Sequence, residues 1–155
     1  MTATPPATGT AAPDFTLETT AGPMTLSQFR GKQHVLLAFF PLAFTSVCTA
    51  EMCSFTEDYS AFASKEVAVL PISVDSVPTL KEFKAKHGMT VELASDFKRE
   101  VSRLYGTLHL ERFFSNRAYF LIDKAGVLRW SFVETTPGTR RENAELLAEI
   151  AKLGA

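Results

Sequence analysis

Hydrophobic residues change period along this chain, and each change marks an element. Phe15-Thr16-Leu17 alternates like a strand, Ala21-Gly22-Pro23 turns the chain back, and residues 24–26 complete a small hairpin. Residues 27–30 are too few for more than one helical turn, closed by Gly31. Residues 34–40 are apolar without a wet face, the pattern of a central strand covered on both sides, and Pro41 ends it. Then the period lengthens. Cys48, Met52, Phe55, Tyr59 and Phe62 recur at spacings of 4, 3, 4 and 3, which predicts one helix face, with Glu51, Glu57, Asp58 and Lys65 off that stripe.

The second half continues the alternation. Residues 67–74 predict a second buried strand, and Asp75 or Ser76 caps a helix with Pro78 in its first turn and Gly88 past its end. Residues 91–93 read as a short strand, and Asp96 caps a helix that stops at Gly106. Residues 118–123 and 127–133 flank Lys124-Ala125-Gly126 and predict an antiparallel hairpin; a last helix over residues 140–153 places Leu146, Ile150 and Leu153 on one face. Alternating strands and helices that close on an antiparallel pair predict an α/β fold, a mixed central sheet flanked by helices, with the N-terminal β-hairpin at one end. Residues 1–12 read as a mobile tail and residues 13–155 as a single domain.

Composition narrows the function. With 46% hydrophobic and 21% charged residues and a net charge of −1, the chain is an ordinary globular one, and no excess charge advertises nucleic acid or an anionic membrane. The longest uncharged stretch, residues 33–50, is interrupted by His34, Pro41 and Thr45 and is a strand plus a loop, not a membrane span. The N-terminus has neither a positive start nor an apolar core, so no signal peptide is expected, and a cytoplasmic location follows. No glycine-rich phosphate loop occurs. His34, His87 and His109 show no ligand-like spacing to the two cysteines, so no metal is expected. They read as strand, helix-end and loop residues, and Trp130 as sheet packing.

The chemistry concentrates in Phe39-Phe40-Pro41-Leu42-Ala43-Phe44-Thr45-Ser46-Val47-Cys48, where a buried strand stops at proline and a cysteine opens an amphipathic helix. Unpaired backbone N–H groups and the helix dipole at such a position favour a thiolate. Thr45 offers a hydroxyl beside the sulfur. By spacing alone, a buried cysteine that merely begins a core helix is an equal alternative.

Pro41-x-x-x-Thr45-x-x-Cys48 resembles the active-site motif of the peroxiredoxins, thiol peroxidases on a thioredoxin-like fold. Phe40-Pro41-Leu42-Ala43-Phe44-Thr45 is most similar to their alkyl hydroperoxide reductase E class. The resemblance extends over residues 13–153 and includes Asn116-Arg117 entering residues 118–123, together with Ser95-Asp96. It implies that Cys48 is the peroxidatic nucleophile, that Arg117 stabilises the thiolate and holds the peroxide, and that Thr45 hydrogen-bonds the substrate. It further implies that Pro41 shields the site and that Glu51 orients the arginine. Hydroperoxide is then the substrate, and a thioredoxin-like or low-molecular-weight thiol the reductant. No cofactor is needed because sulfur carries the electrons, and the family includes both monomers and homodimers.

Cys53 departs from that class and is placed as in the bacterioferritin-comigratory, or Q-type, peroxiredoxins, where it implies a resolving cysteine. In an intact helix, residues five apart are separated by about 7.5 Å along the axis and about 140° around it, so their Cα atoms lie roughly 8.6 Å apart. A disulfide requires about 7 Å or less, so a Cys48–Cys53 bond needs the helix start to unwind. The alternative is an incidental Cys53 with an external thiol resolving Cys48. Other readings of the whole chain are a redox-sensing module and a dithiol–disulfide exchange protein, although C-x-x-x-x-C is not the C-x-x-C spacing of the latter.

Overall fold

The computed structural model describes residues 4–136 and 138–153. Seven strands form one mixed sheet in the order β2-β1-β5-β4-β3-β6-β7. These are β1 (Thr16–Thr19), β2 (Gly22–Thr25), β3 (His34–Phe39), β4 (Val67–Ser73), β5 (Ala94–Ser95), β6 (Ala118–Ile122) and β7 (Leu128–Val133). β3 pairs in parallel with β4 and antiparallel with β6, and the β1–β2 and β6–β7 hairpins occupy the two ends. The helices are α1 (Ser46–Glu57), α2 (Tyr59–Ala63), α3 (Val77–His87), α4 (Glu100–Leu104) and α5 (Asn143–Ala151).

Strand alternation sorts the core into two layers. Leu36 and Ala38 of β3 join Tyr119 and Leu121 of β6 in one layer, packed with Met52 and Phe55 of α1, Leu80 and Phe83 of α3, and Leu146 and Ile150 of α5. Val35, Leu37 and Phe39 join Ala118 and Phe120 in the other, with Val101 and Tyr105 from α4 and its C-terminal end. The covering of both faces explains why β3 has no polar alternation: all six of its residues are buried.

Several elements differ from the sequence expectation for identifiable reasons. The helix expected over Cys48 to Phe62 is broken at Asp58, which ends α1, and Tyr59, just past the break, is 50% exposed and outside the core stripe. α1 begins at Ser46, two residues early, with Thr45 extended at its N-cap. β5 is two residues long and later than expected, because Leu93 and Thr20 satisfy each other through Leu93 N–H to Thr20 Oγ1 and Thr20 N–H to the Leu93 carbonyl, outside any ladder. Asp96 does cap the next helix, its carboxylate accepting from Val101 N and Ser102 N, but left-handed Arg99 delays α4 to Glu100. α3 follows the expected capping, with Ser76 Oγ accepting from Thr79 N and Gly88 left-handed at the C-terminus. α5 starts at Asn143, three residues later than expected.

The expected tail over residues 1–12 is also tied down in its second half. Gly9 N–H donates to the Leu128 carbonyl and Ala12 N–H to the Gly126 carbonyl, on the β6–β7 turn. Among the described residues, no helix is long and apolar enough to cross a membrane.

Candidate active site

Cys48 stands in the first turn of α1, at the C-terminal end of the central strand β3. Between them, residues 40–45 form a loop anchored by Asp75, whose carboxylate accepts from Ala43 N at 2.8 Å and from Ser73 Oγ at 2.7 Å. Pro41 is buried in this loop, beside the thiol.

Cys48 is 1% exposed, and its sulfur accepts a hydrogen bond from Arg117 Nη2 at 3.0 Å. The other fork of the same guanidinium, Nη1, donates to Glu51 Oε1 at 2.7 Å. Arg117 immediately precedes β6, and in a strand period of two it shares a face with Tyr119, toward α1. Glu51 lies three residues after Cys48, on the same helix face. It is therefore completely buried, not off the buried stripe as apolar periodicity suggested. Its remaining oxygen, Oε2, accepts from the Tyr119 hydroxyl, and the Tyr119 oxygen accepts from Arg141 N–H at 3.0 Å.

Burial raises the Glu51 carboxyl above its usual range, against the opposing pull of Arg117 and of the Tyr119 hydroxyl. Burial acts downward on Arg117, but Glu51 and Cys48 outweigh it and hold the guanidinium above its ordinary value. The Tyr119 hydroxyl is also held well up, first by burial and then by the neighbouring carboxylate.

A cleft of about 300 Å³ opens over the thiol, with Pro41, Thr45, Cys48, Arg112, Phe114 and Arg117 in its walls. Larger clefts lie elsewhere, one of about 480 Å³ between β1 and the start of α3, but neither cysteine is among its lining residues. Thr45 sits at the mouth with its hydroxyl donating to the Leu42 carbonyl at 2.8 Å, which leaves its oxygen lone pairs as acceptors. Cys53 is half-buried against the apolar layer under α1 and, like Cys48, is a free thiol.

The structure thus brings Pro41, Thr45, Cys48, Glu51 and Arg117 together and leaves Cys53 apart in an unbroken helix. Tyr119 escaped the sequence reading, as did the role of Asp75, read there as a candidate helix cap and found anchoring the active-site loop. Tyr119 had one available signal, its two-residue spacing from Arg117 on a strand; Asp75 had none, since its contact to Ala43 spans 32 positions.

The chain matches the model of the AhpC/TSA family over residues 8–131. It is similar to alkyl hydroperoxide reductase E of Mycobacterium tuberculosis, at 36% identity over 150 residues, covering 95% of this chain and 97% of the relative. Peroxiredoxin 2 of Thermoplasma acidophilum is 38% identical over 128 residues, covering 79% of this chain and 64% of the relative. Among solved structures, the reduced 2-Cys peroxiredoxin of Plasmodium vivax superposes with a TM-score of 0.89 at 33% identity, over 96% of this chain and 82% of that one. The thioredoxin-like α/β architecture and the thiol at the end of its central strand accord with these likenesses. The chain belongs to the AhpC/TSA family and is a peroxiredoxin, a thiol-dependent peroxidase.

Proposed function

We propose that Cys48 is the peroxidatic cysteine and that Cys53 resolves it. The observation that carries the first assignment is the divided guanidinium of Arg117, one nitrogen on the Cys48 sulfur and the other on Glu51, beneath a cleft open to small molecules. The Cys48 thiolate attacks one peroxide oxygen, the O–O bond breaks, and a proton passes to the departing oxygen. A hydroperoxide leaves as alcohol, or hydrogen peroxide as water, and the sulfur becomes sulfenic acid. Charge moves onto the leaving oxygen in that step. Arg117, already bonded to the sulfur, is a donor placed at that region, and preorganised donors of this kind supply large rate factors. Thr45 holds the other peroxide oxygen, and Pro41 limits water.

In the second step, the Cys53 thiol displaces hydroxide from the sulfenic acid, water forms with the thiol proton, and a disulfide joins the two sulfurs. A two-electron thiol reductant, thioredoxin-like or of low molecular weight, restores both thiols. A Plasmodium yoelii relative is described as a thioredoxin peroxidase, which supports a dithiol reductant. Two free thiols suit a reducing cytoplasm.

The test is intact-mass analysis of reduced protein mixed with one equivalent of hydrogen peroxide and quenched at millisecond intervals. Rapid loss of two hydrogens, mapped to a Cys48–Cys53 link, is expected. Rapid gain of one oxygen without that loss would retain Cys48 and remove Cys53 from the cycle. A rate no faster than free cysteine would remove Cys48 as well.

A further inference from the structure

Arg117 and Glu51 have the means to form a tighter pair than they do. A guanidinium and a carboxylate favour a bidentate fork, with two parallel N–H···O bonds. Here only Nη1 reaches Glu51, at Oε1, while Nη2 is spent on the Cys48 sulfur. The carboxylate is not short of oxygens: Oε2 is occupied by the Tyr119 hydroxyl. That hydroxyl is fixed in turn, because its ring is fully buried in the core layer and its oxygen accepts from Arg141 N–H.

We propose that Tyr119 is a positioning residue for the peroxidase reaction. By engaging Oε2 of Glu51, it prevents the carboxylate from taking both arms of Arg117 and so keeps Nη2 directed at the Cys48 sulfur. Without the hydroxyl, Oε2 is a buried acceptor on a carboxylate whose other oxygen already holds the same guanidinium, and an unsatisfied buried acceptor is costly enough to move its neighbours. The carboxylate then turns into the bidentate arrangement and draws Nη2 from the sulfur. The inference rests on the assignment of Cys48 and Arg117 made above.

The experiment is stopped-flow oxidation of the reduced protein by hydrogen peroxide, with Tyr119→Phe made in both the natural and the Glu51→Gln backgrounds. Loss of one directed hydrogen bond corresponds to about a tenfold fall in rate, expected for Tyr119→Phe alone. A glutamine offers one acceptor oxygen and cannot grip both arms, so in that background the same change is expected to cost less than twofold. Equal losses in both backgrounds would show a merely structural role and overturn the proposal, as would an unchanged rate in the natural background. Incorporating 3-fluorotyrosine at position 119 keeps the ring and hydroxyl. A rate within twofold of the natural protein is expected, and a fall like that of Tyr119→Phe would likewise overturn the proposal, even if the Phe variant folds poorly. Arg117→Met separates the two levels. If it leaves the oxidation rate intact, the arginine assignment itself fails; if it slows oxidation while Tyr119→Phe does not, only the role of Tyr119 fails.

Discussion

The two halves of α1 are held by different chemistry. Between Ser46 and Cys53, the side-chain bonds to the rest of the molecule come from β6 and its approach, Arg117 reaching Cys48 and Glu51 and Tyr119 reaching Glu51, beside the core packing of Met52. From Ser54 onward the grip comes from Thr90 N–H on Thr56 Oγ1, from the buried Phe55, and from the start of α5 with the segment that leads into it. Arg140 Nη2 donates to Ser54 Oγ at 2.9 Å, and Asn143 Nδ2 donates to the Ser54 carbonyl at 3.0 Å and to Asp58 Oδ2 at 2.8 Å. The boundary falls immediately after Cys53. A disulfide between the cysteines requires only the first half to unwind, and the second half is pinned where that unwinding has to stop. Under the proposed resolution by Cys53, catalysis and disulfide formation place opposite demands on one helix. The first turn has to be rigid enough to present Cys48 to Arg117, yet open when the sulfur is oxidised.

The largest test of this contrast exchanges each cysteine for serine. Cys48→Ser is expected to abolish peroxide consumption altogether. Cys53→Ser is expected to leave the first oxidation within twofold and to stop the protein at a gain of one oxygen, measured by rapid-quench mass analysis. If Cys53→Ser slows the first step as severely as Cys48→Ser does, the two cysteines do not have separate tasks.

A smaller effect is expected from releasing the second half. Asn143→Ala removes donors from the Ser54 carbonyl and from Asp58, at a cost of about 1–2 kcal/mol in unfolding free energy, measured by urea titration. Hydrogen exchange sharpens the same comparison. Amides of residues 50–53 should exchange faster than those of residues 54–58 in the natural protein, and the difference should narrow in the variant. Identical exchange across the helix before substitution would break the distinction.

The smallest expected effect is electrostatic, and its sign is specific to the first half. Burial raises Glu51 above its ordinary value of 4.5, so the folded state holds the carboxyl proton more tightly than the unfolded chain. Its contribution to stability is therefore fullest below 4.5 and declines as pH rises from there through the raised folded value. Relative to Glu51→Gln, the natural protein should lose unfolding free energy over that interval. A natural-protein advantage over Glu51→Gln that grows with pH would reverse the assignment of burial as the dominant influence.

The legibility of the sequence followed the range of the interactions. β3 was readable because burial on both faces leaves an unbroken apolar run, and α3 because its cap, its early proline and its terminal glycine are local. The β6–β7 hairpin was readable for the same reason, through the short turn between two apolar runs. The break at Asp58 was not, because Tyr59 and Phe62 keep helical spacing through it; Asn143 donates to Asp58 from 85 positions away. Glu51 shows the same limit from the other side. Its place on the buried face lies in its spacing from Cys48, but charge alone puts a glutamate in water unless a partner is known, and that partner is 66 positions distant.

Local patterns were enough to read this chain as an α/β domain with a cysteine at the start of a helix after its central strand. The Pro41, Thr45 and Cys48 pattern, with Arg117, was enough to read the family. These depend on hydrophobic period, turn chemistry and short spacings, which act between near neighbours. The family resemblance implied that Arg117 serves Cys48 and that Glu51 orients it; it took the folded molecule to show that the two arms of one guanidinium divide between them, that Tyr119 takes the second carboxylate oxygen, and that α1 is pinned just beyond Cys53. Those are directed bonds between side chains far apart in the chain, and their partners are set by where the sheet brings β6 and α5 against α1.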